Sequence, residues 1–146
     1  MEKEFIRQWD ANKHKLEEYF KNTPLEEYRN YEDIVAKIFE LCITSTAKAY
    51  NNGGFNSGNM TVIDDGDYQG TQIFIIPVDT YQPSVSDYVM THNYYGSCSG
   101  CDTLMGIHEY ENGLPSDKQV KEYMTLALHL VQRLKWLVDN EEQEWL

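Results

Sequence analysis

The sequence predicts an α+β domain: N-terminal helices, a small antiparallel sheet of about three strands, then a short helix and a long C-terminal helix packed on the sheet. Three observations carry that expectation. Apolar residues recur at helical spacing over residues 1–50 and again over residues 116–138. Between them, residues 60–95 are rich in β-branched and aromatic residues broken by turn formers. A chain of 146 residues at 41% hydrophobic supplies one core. A single domain is expected, helical over 1–50, sheet over 60–95 and helical over 102–139, with an acidic tail at 140–146 that frays.

The first helix is expected over 2–21, where Phe5, Trp9, Leu16 and Phe20 share a stripe with Ile6 and Tyr19 at its margins. Thr23, Pro24 and Glu26 read as an N-cap, a proline at the first helical position and the acid of a capping box. Asn30 then opens a second helix over 31–48, whose apolar face includes Tyr31, Ile34, Val35, Ile38 and Phe39. The polar, glycine-rich run Asn51–Asn59 reads as an exposed loop. Strands follow at Met60–Ile63, Thr71–Val78 and Tyr88–Tyr95, the first two joined as a hairpin through the Asp65-Gly66 pair. Asp102-Thr103 caps a short helix running through Glu109 and ended by Asn112-Gly113. Ser116 and Gln119 form the capping box of the last helix, whose stripe runs from Val120 through Leu134 to Leu137 and Val138. That stripe reads as core.

Charge and cysteine usage narrow the function classes. The net charge is −12, and no Lys or Arg stands between Lys48 and Lys118, so this stretch has nothing with which to neutralise phosphates. Direct nucleic-acid binding is not expected. The richest apolar run, Ile73 to Ile76, stops at Pro77, far short of a membrane span. The start Met1-Glu2-Lys3-Glu4 lacks the form of a secretory signal, and three cysteines do not make a paired disulfide framework. A cytoplasmic, reducing location is expected.

Chemistry concentrates in two segments. Tyr94 to Thr103 (YYGSCSGCDT) joins the third strand to the short helix, and Tyr95, Ser97, Ser99 and Asp102 are its candidate binding residues. Cys98 and Cys101 are its candidate metal ligands, since two thiols at this spacing make half a zinc site or a redox dithiol. Zinc is the one cofactor this suggests, and its remaining ligands would come from Cys42, His92, His108 or an Asp. The plainer reading is a tight Gly-Ser turn with small cysteines packed beneath it. The second segment, Asp64 to Gly70, offers Asp64, Asp65, Asp67, Tyr68 and Gln69; its carboxylates suit a hard cation or a solvated hairpin turn. Adjacent strands are expected to bring both segments to one surface, which is the predicted site. No nucleophile elbow, phosphate loop or metalloprotease motif occurs, and no catalytic residue is assigned.

The segments Ile63-Asp64-Asp65-Gly66-Asp67-Tyr68-Gln69-Gly70-Thr71 and Tyr95-Gly96-Ser97-Cys98-Ser99-Gly100-Cys101-Asp102-Thr103-Leu104, with the helix opening Tyr31-Glu32-Asp33-Ile34-Val35, resemble those of small uncharacterised proteins encoded by tailed bacteriophages of Gram-positive bacteria. The resemblance covers residues 28–107 and implies viral origin. It supplies no mechanism, and the first and last helices fall outside it. With 11 tyrosines and a strong acidic excess, the leading expectation is a non-enzymatic accessory module that binds a host or phage protein. A small metal or redox protein built on Cys98 and Cys101, and an acidic DNA mimic, are the alternatives. The sequence assigns no oligomeric state.

Overall fold

A computed structural model describes residues 3–48, 53–98 and 100–138. Helix α1 (Lys3–Asn22) buries Phe5, Trp9, Leu16 and Phe20, the stripe its spacing predicts, and buries Gln8 with them. A 3-10 turn at Leu25–Glu27 follows without a side-chain cap. Glu26, expected to cap it, instead accepts the Gly113 N–H at 2.9 Å, while Leu25 N–H donates to Gly113 O at 2.8 Å. The carboxylate serves a long-range contact in place of a local one.

Helix α2 covers Tyr31–Leu41, shorter than the 31–48 expected, and Asn30 precedes it without a side-chain cap bond. The N–H groups of Cys42 and Ile43 both turn back to Ile38 O. Beyond them α1 meets the needs of the backbone. Gln8 Oε1 accepts from Thr44 and Ser45 N–H at 3.0 Å each, Gln8 Nε2 donates to Ser45 O at 2.8 Å, and Asn12 Nδ2 donates to Cys42 O at 3.1 Å. Two amide side chains thus stand in for a further helical turn, whose ladder bonds are no longer needed.

The sheet has four strands, one more than expected: β1 (Thr61–Asp64), β2 (Gly70–Pro77), β3 (Tyr88–Tyr95) and β4 (Lys135–Trp136), antiparallel throughout in the order β1-β2-β3-β4. The hairpin β1–β2 forms as predicted, but five residues separate its strands. Gly66 is needed there for close approach, since a Cβ on it would lie 1.9 Å from Gln69 O. Helix α3 (Thr103–His108) starts on Asp102 as expected, and ends at Glu109 in the left-handed region (φ 49°), ahead of the predicted Asn112-Gly113. Residues 111–113 are drawn away to the N-terminal segment, where Arg29 Nη2 donates to Glu111 O and to Asn112 Oδ1.

Helix α4 (Asp117–Gln132) opens on the predicted Ser116–Gln119 capping box and ends six residues before Val138. Arg133 Nη1 reaches Asn93 Oδ1 at 2.9 Å, and the chain then turns into β4, pairing Trp136 with Val89. Trp136 lies against Phe5 and Phe55, with Lys48 Nζ 3.9 Å from its ring centroid. Aromatic packing and strand pairing take the place of the helical bonds that the last six residues of the expected helix would have made. The acidic tail at 140–146 lies outside the described residues.

Helices α1, α2 and α4 form one layer over one face of the sheet. Phe74, Ile76 and Val89 point into that layer, and Thr91 Oγ1 donates to Leu130 O of α4 at 2.7 Å. No helix among the described residues is long and apolar enough to cross a membrane.

Candidate functional site

The two predicted segments meet at one end of the sheet. Gly70 pairs with Tyr95 across β2 and β3, and Tyr95 Oη donates to Asp64 Oδ1 at 2.6 Å. That bond holds the Asp64 carboxyl below the usual carboxylate range and pushes the Tyr95 phenol up to about 12. Asp64 also accepts from Gly66 N–H at 3.0 Å and from Gln72 Nε2 at 3.3 Å, while Asp65 Oδ1 accepts the Thr71 N–H at 2.6 Å. These two carboxylates are occupied in shaping their own hairpin, which is the Asx chemistry of turns. Asp67, Tyr68 and Gln69 are exposed at its tip, Tyr68 by 82%.

Asp102 is not a surface binding group. It is buried, and its carboxylate accepts three hydrogen bonds, from Tyr31 Oη and Met105 N–H at Oδ1 and from Gly96 N–H at Oδ2, each at 2.9 Å. Tyr31 Oη in turn accepts the Leu104 N–H at 3.1 Å. The residue that caps α3 therefore also fixes the start of the preceding turn and ties both to α2. Burial raises the Tyr31 phenol pKa, so the hydroxyl stays a donor at any ordinary pH.

The turn itself departs from expectation. Cys98 and Cys101 do not pack beneath it; both are exposed, with Sγ atoms 2.6 Å apart. Ser97 is exposed beside them, its Oγ 4.0 Å from Cys101 Sγ, and Ser99 lies outside the described residues. Cys42, the third thiol, is buried against Asn12 and its pKa is pushed up to about 11 by burial. His108, another suggested zinc ligand, is buried with its Nδ1 accepting the Tyr110 N–H. Among the described residues no group of three or more His, Cys, Asp and Glu side chains is assembled to hold a metal ion.

Three surfaces surround these segments, and the sequence pointed only to the first, through Tyr95 and Asp102. A polar cavity of about 430 Å³ opens beside Tyr95, Gly96 and Asp102, with Arg29, Tyr31 and Gln72 in its wall. A more apolar groove of about 410 Å³ separates α3 from α4, between Ile107, Leu126, Lys121 and His129. The third is the sheet face opposite the helices. Register places Ile63, Ile73 and His92 in one row across it and Thr61, Ile75, Met90 and Lys135 in the next, with Tyr94 beside Thr71 at the hairpin end. Ile63 is 48% exposed and Tyr94 54%. The signal for this face was present in β2, whose Ile73-Phe74-Ile75-Ile76 run is apolar on both sides, although helices cover only one.

Comparison of the chain with protein-family models, with curated proteins and with solved structures finds no match.

Proposed function

We propose that the protein is a non-enzymatic phage accessory module that docks a host or phage protein on the open face of its sheet, inside the host cytoplasm. The carrying observation is that face: a sheet surface that no helix covers, on which Ile63 and Tyr94 are exposed and Ile73, Ile75 and Met90 half-buried in adjoining rows, whereas the other exposed apolar side chains, such as Tyr81 and Leu114, stand singly in loops. Contiguous apolar surface of this kind marks interaction sites more often than chance. Acidic residues flank it at both ends, with Asp65 and Asp67 in the hairpin and Asp79 beyond β2 all exposed. The partner that fits has an apolar centre and a basic rim. A second copy fits poorly, because its own acidic ends would face like charges. DNA mimicry has weaker support, because acids along α1 are paired with neighbouring bases: Glu4 with Arg7, Asp10 with Lys13 and Glu17 with Lys21.

The test compares affinity capture from host lysate by the wild type, by Ile63→Glu/Tyr94→Glu, and by Tyr81→Glu, a control at a fully exposed loop position outside the face. The expected result is one basic partner, released by moderate salt, retained by the control and lost by the face variant. Equal recovery by the face variant overturns the proposal, as does a dimer of the wild type in sedimentation that the face variant abolishes.

A further inference from the structure

The exposed cysteine pair is held as a unit. Cys101 and Asp102 N–H both donate to Cys98 O, at 3.0 and 2.9 Å, and Cys98 N–H donates to Cys101 Sγ at 2.9 Å. Gly96 lies directly beneath: a Cβ there would come within 2.3 Å of Cys101 O and 2.8 Å of Cys101 Sγ. Asp102, anchored in the core by Tyr31, Gly96 and Met105, fixes both ends of the turn. The two sulfurs, 2.6 Å apart, are thus preorganised close to the roughly 2.05 Å of a disulfide, on an accessible surface. Neither the hairpin nor the open sheet face uses them.

We propose that Cys98 and Cys101 form a thiol–disulfide exchange site whose substrate is a low-molecular-weight disulfide of the glutathione type. Cys101 is the attacking sulfur. It alone of the pair accepts a backbone N–H at sulfur, from Cys98 at 2.9 Å, and the neighbouring Cys98 thiol and this N–H hold its pKa below that of an ordinary thiol. The Cys101 thiolate attacks one sulfur of the substrate disulfide, forming a mixed disulfide and expelling the first thiolate. Cys98 then loses its proton and attacks Cys101 Sγ, forming the Cys98–Cys101 bond and expelling the second. The protein loses two electrons and two protons; the substrate disulfide gains both and leaves as two thiols. An external dithiol reverses the sequence. This site is independent of the docking face, and failure of one leaves the other standing.

The test exposes the intact protein to graded mixtures of oxidised and reduced glutathione, quenches with an alkylating agent and reads each cysteine by peptide mass spectrometry. Cys98 and Cys101 should become protected together as one intramolecular disulfide, recover with dithiothreitol, and leave Cys42 unchanged. Cys98→Ser should stall with one glutathione on Cys101, whereas Cys101→Ser should pick up glutathione at least about tenfold more slowly, matching a loss of thiolate at neutral pH. Thermal unfolding of both variants checks that they fold, and should one fail, residue-resolved alkylation rates of the wild type against pH carry the same comparison. Continued reduction of both thiols in excess glutathione disulfide, equal alkylation rates at Cys98 and Cys101 across pH, or a wild type that stops at the mixed disulfide would each overturn the proposal.

Discussion

The fold holds His108 in its neutral form. It is 1% exposed, and its Nδ1 accepts the Tyr110 N–H at 2.9 Å, which an imidazolium could not do. Burial lowers its pKa first, and the Arg29 charge lowers it further, against a smaller opposing pull from Asp102. The sign follows from linkage. The unfolded chain takes up this proton near pH 6.5, the folded chain only at lower pH, so the unfolded state is favoured as pH falls between those two values. The stabilisation is complete above about pH 6.5 and declines below it. Asp64 and Glu26, whose pKa values are lowered by their hydrogen bonds, lose their contributions only below the ordinary carboxylate range and do not overlap this window. His108→Asn supplies an acceptor without a titrating proton. Urea midpoints of the wild type should therefore drop from pH 7.5 to pH 5.5 relative to those of this variant, and parallel curves would show that His108 takes up its proton at the same pH in the folded and unfolded states, so that burial does not hold it neutral.

Where an element stops depends on what another element offers it. Gln8, 9% exposed on α1, satisfies two N–H groups and one C=O of Thr44 and Ser45, and so permits α2 to end at Leu41. Gln8→Leu keeps the volume and removes all three bonds, leaving polar backbone partly buried without those partners. A loss of about 2–4 kcal/mol is expected in urea denaturation, since each orphaned group costs about 1–3 kcal/mol before water is readmitted. Gln8→Glu keeps the acceptor and loses the donor, and should fall between; a neutral Gln8→Leu would mean the segment finds other partners. The same residue shows why element ends were not legible. Starts were: Asp102 and Ser116 cap their helices through bonds to residues three positions on, so the signal is local. The three long strands were legible for the same reason, from composition and turn residues. The end of α2 rests on α1, thirty-odd residues earlier in the chain, and the end of α4 on Asn93, Val89 and Phe5, none of which a periodic stripe reveals. At the site, adjacency of the hairpin and the cysteine turn was readable from strand order. Whether Cys98 faced core or solvent was not, because that depends on Gly96 and Asp102 fixing the turn from below.

At the scale of the whole molecule, charge is the least balanced quantity. Net charge is −12, and residues 51–102 hold six aspartates with no Lys or Arg to offset them. Working against this repulsion are ion pairs that are mostly local and exposed, such as Arg7–Glu4, Lys21–Glu17 and Lys118–Glu122, each a neighbouring-turn pair on one helix. Exposed pairs of this kind contribute little and are themselves screened by salt. The less exposed pair Lys48–Asp87, at 3.9 Å, is shielded from the solvent and responds little. Folding compresses the acidic excess into a small volume, so screening should favour the folded state by more than it costs the local pairs. Raising sodium chloride from about 0.01 M to about 0.15 M shortens the Debye length from about 30 Å to about 8 Å, longer than an ion pair but shorter than the molecule. The thermal midpoint should rise by about 2–4 °C if the net gain is near 1 kcal/mol. Chloride is the anion to use, because sulfate would strengthen apolar burial by itself and give a rise for the wrong reason. A midpoint that falls with sodium chloride would mean that the helical ion pairs outweigh the repulsion, and the acidic excess would then have to be read as a surface shaped for its partner and nearly neutral for folding.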